Sequence, residues 1–326
     1  MKNIAIIVPE QSVMQAIADP QYCFSAVNDF LVKSGGAPLF HVELVGINPE
    51  VKLNDNRYSV FPDQLLSTAT SPDLVVIPAL FGDMKKAVES NEAYIPWIID
   101  QYESGTEIAS LCVGAFLLGA TGLLDGKKCS THWGFTNLFR EFYPKVEVQD
   151  GTIVTEENGI YSSGGANSYW NLLLHLVEKY ADREIAILTA KYFAIDIDRN
   201  SQTAFSMFKA QKSHQDEAVK KAQEYIEKKI EERITVDVLA DEVAVGRRSF
   251  ERRFKRVTNN SVLEYIQRVK VEAAKRSFET TMKNITEVMF DVGYSDTKAF
   301  RTTFKKITGL TPIEYRNKYN KWARMN

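Results

Sequence analysis

Over the first two thirds of the chain, short runs rich in Ile and Val alternate with stretches whose apolar residues return every three or four positions. The runs fall at 4–8, 40–45, 74–78 and 107–111; the amphipathic stretches fall at 22–33, closed by Gly35 and Gly36, at 94–103, closed by Gly105, and at 113–120. A continuous apolar run suits a strand covered on both faces, and a 3.6-residue period suits the helices that cover it. The front is therefore predicted to be an α/β sandwich about a mostly parallel sheet, with function at the carboxyl ends of its strands.

The last third reads as helix throughout. Residues 218–232 bury a stripe of Ala222, Tyr225, Ile226 and Ile230, and Thr235 suits the N-cap of a helix at 236–243. Gly246 is expected in the turn before 247–258, whose Phe250, Phe254 and Val257 face inward. Residues 261–280, without Gly or Pro, form one helix about 30 Å long at roughly 1.5 Å per residue. The pattern then starts again. Phe250, Phe254, Lys255, Thr258, Glu264 and Tyr265 recur fifty residues later as Phe300, Phe304, Lys305, Thr308, Glu314 and Tyr315, while Val236, Leu239 and Val243 recur at an offset of 49 as Ile285, Val288 and Val292. The one-residue slip falls in a turn, where a repeat can absorb it. Each copy reads as a helix-turn-helix, the second with Asp296 capping a helix on Phe300, Phe304 and Ile307.

Charge separates the same two parts. Residues 1–211 hold 15 Lys and Arg against 25 Asp and Glu, and residues 212–326 hold 25 against 17, so a net charge of −2 conceals an acidic front and a basic back. A basic repeat of two-helix units implies a polyanionic partner, double-stranded DNA. The face left by the packed aromatics places Arg247, Arg248, Ser249, Arg252 and Arg253 on the first reading helix, and Thr297, Lys298, Arg301, Thr302 and Lys305 on the second. Arginine can grip guanine through two hydrogen bonds, and other cations neutralise phosphate. A connecting helix of about 30 Å matches the roughly 34 Å between successive major grooves on one side of the duplex, so one chain is expected to read two grooves.

No signal peptide is read at residues 1–10, and the longest apolar stretch, 111–120, is too short to span a bilayer. Cys23, Cys112 and Cys129 form neither a disulfide set nor a metal-ligand spacing. The expectation is a cytoplasmic protein without metal, cofactor or membrane association.

One strand end stands out. In residues 107–115 a strand turns into a helix with Cys112 at the apex and Gly114 two residues on, the geometry of a nucleophile elbow, and a helix N-terminus there would favour thiolate. His132 follows another short strand and could pair with it.

The segments ASLCVGAFLLGATGLLDGKKCSTHW at 109–133 and YSSGGANSYWNLLLHLVEKY at 161–180, with the following helix and residues 199–205, resemble the class I glutamine amidotransferase-like, or PfpI-like, domain that stands at the front of a subgroup of AraC-family regulators. The segment ITEVMFDVGYSDTKAFRTTFKKITGLTPIEYR at 285–316 resembles the AraC-family DNA-binding signature, with Gly293, Tyr294, Phe300, Phe304, Lys305, Gly309, Pro312, Tyr315 and Arg316 in place; Met289 stands where the family usually has Ala, and Gly246 where a small polar residue is usual. The resemblance implies a flavodoxin-like three-layer front at 1–208, a linker at 209–217 and an all-α double helix-turn-helix domain at 218–326. It implies a homodimeric promoter-binding regulator, an activator, whose front senses a small metabolite; regulators of this kind are associated with amino-acid and quaternary-amine metabolism.

Departures from the enzymes of the superfamily bear on catalysis. Glu10 and Asp19 are the nearby acids, neither in the register of the enzymes' acid, and Ala79 and Leu80 replace a Gly-Gly whose amides could stabilise an oxyanion. Cys112 and His132 are thus expected to be a vestigial pair lining a ligand pocket with Glu10, and the chain is expected not to be an enzyme. The alternatives are a cysteine-dependent hydrolase, amidase or deglycase using Cys112 and His132, and a redox sensor at Cys112.

Overall fold

Among the described residues, eleven strands lie in the front of the chain: β1 Lys2–Ile7, β2 Phe40–Gly46, β3 Val51–Leu53, β4 Tyr58–Val60, β5 Gln64–Leu65, β6 Leu74–Ile77, β7 Glu107–Ser110, β8 Lys128–Cys129, β9 Glu147–Val148, β10 Val154–Glu157 and β11 Ile160–Ser163. The structure is a computed structural model that describes residues 1–199, 201–208, 211, 212 and 214–320. Residues 209, 210 and 213 of the expected linker, and 321–326 at the end of the expected DNA-binding domain, lie outside the described residues. The chain divides into two units, Met1–Gln202 and Thr203–Asn326. The boundary expected after residue 208 thus lies six residues beyond the division.

Seven strands form one sheet in the order β10-β11-β7-β6-β1-β2-β5, all parallel except β10, which runs antiparallel on the edge. Leu74, Val75, Val76 and Ile77 of β6 are all buried, as a strand covered on both faces requires. Helices α1 Met14–Lys33, α6 Tyr169–Tyr180 and α7 Arg183–Tyr192 pack together in one layer, and α2 Met84–Glu89, α3 Tyr94–Glu103 and α4 Ala115–Ala120 in the other. A further helix, α5 Thr136–Phe142, follows α4. The parallel sandwich read from the sequence is the fold observed.

Helix α1 begins eight residues before the periodicity at 22–33 indicates, and it carries Pro20 inside it. Proline lacks a donor and usually ends a helix. Here Ala16, Ile17, Pro20, Phe24 and Val27 share a buried face, so tertiary packing outweighs the lost hydrogen bond.

The second unit is helical: α8 Glu217–Lys228, α9 Val236–Glu242, α10 Arg247–Thr258, α11 Val262–Thr280, α12 Ile285–Asp291, α13 Thr297–Thr308 and α14 Pro312–Tyr319. Two small cores are built on equivalent side chains, one around Leu239, Phe250, Phe254 and Tyr265, the other around Val288, Phe300, Phe304 and Tyr315. Helix α11 gives Val262, Tyr265 and Ile266 to the first and Val271, Ala274 and Phe278 to the second. Reciprocal capping boxes start α11 (Ser261 with Glu264), α12 (Asn284 with Glu287) and α14 (Thr311 with Glu314).

Candidate functional site

Helices α9 and α10 form the first two-helix unit and α12 and α13 the second. Thr235 caps α9 by accepting from the Val238 amide, and Asp296 caps α13 by accepting from the Ala299 amide at 2.5 Å. In the first turn the left-handed residue is Ala244, at φ 52°, while Gly246 has an ordinary φ of −56° and is the N-cap of α10, without a side-chain bond. In the second turn Gly293 takes the left-handed place, at φ 71°.

Packing of Phe250 and Phe254 leaves Arg247, Arg248 and Arg252 of α10 exposed, with Ser249 half-buried; packing of Phe300 and Phe304 leaves Thr297, Lys298, Arg301, Thr302 and Lys305 of α13 exposed. Among the described residues no ion pair engages Arg248, Arg252, Lys298, Arg301 or Lys305. Such open cations can neutralise phosphates, and an open guanidinium can reach a guanine edge. Arg247 lies 3.0 Å from both carboxylate oxygens of Asp237 while still exposed.

Arg253, expected with the open cations, is engaged elsewhere. Its Nε and Nη2 donate to the two carboxylate oxygens of Asp216 at 2.9 and 2.7 Å, and the Asp216 side chain is almost wholly buried. Asp216 also caps α8 by accepting from the Val219 amide. Arg253 holds the Asp216 carboxyl below the ordinary carboxylate range. The pair ties α10 to α8, so this guanidinium faces the protein.

In the first unit, β7 runs into Cys112, whose φ of 55° makes the sharp turn expected of an elbow. A methyl added at Gly114 would stand 2.5 Å from the Pro78 carbonyl oxygen, so only glycine lets the turn pass this close to the end of β6. The Cys112 amide donates to Ser163 Oγ at 3.1 Å, and Thr131 Oγ1 donates to the Cys112 carbonyl at 3.1 Å, which brings the loop bearing His132 against the elbow.

The chemistry of this elbow departs from the expected thiolate. Burial pushes the Cys112 thiol up to about 12, so desolvation of the anion outweighs any helix-end stabilisation. His132 Nδ1 accepts from the Gly134 amide at 3.0 Å, which leaves the neutral ring's proton on Nε2, and burial lowers the ring's basicity. Among the described residues no hydrogen bond joins the thiol to either ring nitrogen. Asp19 is held by Tyr169 Oη at 2.6 Å and Trp170 Nε1 at 3.0 Å.

Glu10 does not join the elbow through its side chain, which is exposed; its main chain is tied both ways to buried Asn91, at 2.8 and 2.9 Å. Near Ala79 and Leu80, the loop is joined to the loop after β1, through Val13 N to Ala79 O at 2.8 Å and Phe81 N to Gln11 O at 2.7 Å. A cavity of about 280 Å³ lies elsewhere in the unit, against Ile153, Asn171, Leu174, His175 and Ile197, and none of Cys112, His132 or Glu10 lines it.

Gln202, which no motif reading singled out, is buried beside the elbow with its whole amide engaged. Its Oε1 accepts from the Gly165 and Trp133 amides at 2.9 and 3.3 Å, and its Nε2 donates to the Thr131 and Thr152 carbonyls at 2.9 and 3.2 Å. A glutamine in a segment without periodicity carries no sequence signal for such a role. Among the described residues no helix is long and apolar enough to cross a membrane, and no group of three or more His, Cys, Asp or Glu is placed to hold a metal.

Comparison with known proteins finds likeness in both units. Residues 29–179 match the DJ-1/PfpI family, and residues 239–318 match a helix-turn-helix domain. The HTH-type transcriptional regulator GbdR of Pseudomonas aeruginosa is 26% identical over 268 residues, covering 79% of this chain and 69% of that protein. The HTH-type transcriptional regulator ArgR of the same species is 27% identical over 215 residues, covering 66% of this chain and 65% of that protein. Among solved structures, a ThiJ/PfpI family protein from Pseudomonas syringae superposes with a TM-score of 0.51 at 19% identity, covering 63% of this chain and 79% of the other. That likeness concerns the fold alone.

Proposed function

We propose that the chain is an AraC-type DNA-binding transcription regulator, an activator, that works as a cytoplasmic homodimer and answers to a small metabolite; its match to a helix-turn-helix domain behind a DJ-1/PfpI match, and its similarity to HTH-type transcriptional regulators, support this reading. The observation that carries the reading is the pair of exposed cationic faces on α10 and α13, each packed against one helix, α11; on α10 the exposed Glu251 stands among the arginines. At 19 residues and roughly 1.5 Å per residue, α11 spans about 28 Å, near the repeat of the major groove. Arg248, Ser249 and Arg252 read one sub-site, with Arg247 at its edge; Thr297, Lys298, Arg301, Thr302 and Lys305 read the other. Arg253 supports the first from behind.

The front supports sensing better than turnover. A thiol with its pKa raised to about 12, a histidine whose Nδ1 is occupied and an Asp19 engaged by two aromatic donors do not make a cysteine nucleophile. We assign Cys112 and His132 to the wall of the effector site, with Glu10 at its rim. The proposed domains are a sensing and dimerisation domain at 1–208, a linker at 209–217 and a DNA-binding domain at 218–326.

Gel shifts with the DNA upstream of the gene and of its neighbours, at several salt concentrations, test the main reading. Salt-steep, sequence-selective binding is expected. Its absence overturns the proposal. A cysteine hydrolase is the second reading, favoured by the left-handed backbone at Cys112. Cys112→Ala is expected to leave DNA binding intact; detection of an amidase or deglycase activity that this substitution abolishes would establish the second reading instead.

A further inference from the structure

Between the two small cores of the helical unit lies a buried charge. Lys270, midway along α11, is 5% exposed, and Ile266, one turn before it, and Val271, next to it, belong to different cores. Its ammonium donates to three main-chain carbonyls, Glu232 at 3.0 Å, Val292 at 2.9 Å and Gly293 at 3.3 Å. Glu232 lies in the segment between α8 and α9 that leads into the first helix-turn-helix. Val292 and Gly293 are the C-cap and turn of the second. Nζ also lies 5.7 Å from the centre of the Tyr294 ring, in the same turn.

An ammonium has three hydrogens, and all three are directed at fixed backbone oxygens. Val292 O and Gly293 O stand at the carboxyl end of α12, where the helix dipole favours a cation. The contact is also tight. A methyl at Gly293 would stand 2.4 Å from Nζ and 2.6 Å from the Glu231 carbonyl oxygen, so the second turn closes directly on the segment before α9. Burial lowers the basicity of Lys270, the direction expected of a cation withdrawn from water. A buried charge tolerates little displacement of its partners, because each lost hydrogen bond leaves the charge poorly solvated. Apolar contacts alone would let two small cores rock about a shared helix.

We propose that Lys270 is a positioning residue for DNA reading: its ammonium locks the two helix-turn-helix units at one mutual angle and so sets the spacing between the two sub-sites that a single chain reads. The proposal rests on the DNA-binding reading for its functional consequence, and on the backbone contacts alone for its structural one. Lys270 touches no DNA in this assignment. It acts through the turns it joins.

Two readouts on the full chain keep those parts separate. In the first, nitroxide labels at Glu251→Cys and Lys306→Cys, on exposed positions of α10 and α13, report the inter-helix distance by pulsed electron resonance without DNA, the native cysteines being buried. Lys270→Met is expected to retain helical content and to broaden or shift that distance distribution. In the second, duplexes selected by the wild-type protein from a randomised library are rebuilt with two base pairs inserted between the sub-sites. The wild type is expected to lose affinity by at least about tenfold on insertion, and Lys270→Met to discriminate between the spacings by less than about threefold.

An unchanged distance distribution together with an unchanged insertion penalty in Lys270→Met overturns the proposal. Should that variant fail to fold, Gly293→Ala, which drives a methyl against the ammonium, takes its place in both readouts, and no change there overturns it equally. Failure of the wild type to select any sequence would instead defeat the DNA-binding reading and leave the distance measurement standing.

Discussion

In the first helix-turn-helix the left-handed turn residue is Ala244 and the reading helix starts at Gly246 with no side-chain cap; in the second the corresponding places hold Gly293 and Asp296, and the helix is capped. Beneath these differences, Phe250 and Phe254 occupy the places of Phe300 and Phe304, all fully buried. Along the outer faces, Glu251 stands where the second copy has Arg301, and Arg253, bound to Asp216, stands where it has Thr303. Interior positions are constrained by volume, so the copies keep the buried aromatic side chains and vary only among apolar ones elsewhere, Leu239 answering to Val288 and Ala240 to Met289. Surface positions are constrained only by what they touch. A charge reversed on the exposed face, Glu251 against Arg301, is what two different sub-sites require, whereas a repeat kept for packing would have no reason to reverse it.

The sharpest break would come from the interior. Phe254→Ala and Phe304→Ala are each expected to cost about 3–5 kcal/mol in urea unfolding, because each removes a fully buried ring. Equal losses support equivalent cores; a loss below about 1 kcal/mol at either site would break the equivalence.

At the surface, Arg252→Ala and Arg301→Ala should each weaken specific DNA binding by about 1–3 kcal/mol in gel shifts and relax the preference at different base pairs. If both variants bind with wild-type affinity and site preference, the faces are misassigned.

Smaller effects are expected from the features that the copies do not share. Asp216→Asn keeps a capping oxygen for α8 but removes the charge that holds Arg253, an expected loss of about 1 kcal/mol at neutral pH. The Asp216 carboxyl titrates below its ordinary range in the folded chain, first because of Arg253. Its contribution is therefore complete above the unfolded pKa of about 3.9 and lost as pH falls through the folded value. The stability gap between wild type and variant should hold from about pH 5 upward and close progressively below about pH 4. A gap that widens on acidification would contradict the pairing.

Smallest is Ala244→Gly. Relief of the left-handed alanine is expected to stabilise the domain by up to about 1 kcal/mol, offset in part by the greater freedom of glycine in the unfolded chain. A destabilised variant would mean that the Ala244 methyl makes packing contacts worth more than the strain.

The helices of the second unit were legible because their period, caps and aromatic spacing are local properties. Thr235 and Asp296 cap as their positions predict, and Arg247–Thr258 has the bounds its pattern implies. The turn was less so, for Gly246 draws attention while Ala244 takes the strained conformation. The start of α1 was hidden by Pro20, since only the buried face shows that the helix continues through it. At the elbow the sharp turn and Gly114 were readable. Neither the tautomer of His132 nor the burial that raises the Cys112 pKa has a local signature.

Sequence by itself determined the two-part organisation, the parallel sandwich, the duplicated helix-turn-helix and which faces of α10 and α13 remain outside the cores, because hydrophobic period, charge and repeat spacing act over a few turns of chain. Tertiary structure alone decided which cations stay open and which are engaged. Arg252 and Arg253 are adjacent and chemically identical, yet one is exposed and the other grips Asp216, 37 residues away in sequence. It likewise decided that Lys270 is buried against carbonyls from the segment before α9 and from the second turn. A charge takes its role from the groups that surround it in space, and chain folding brings those groups from distant positions.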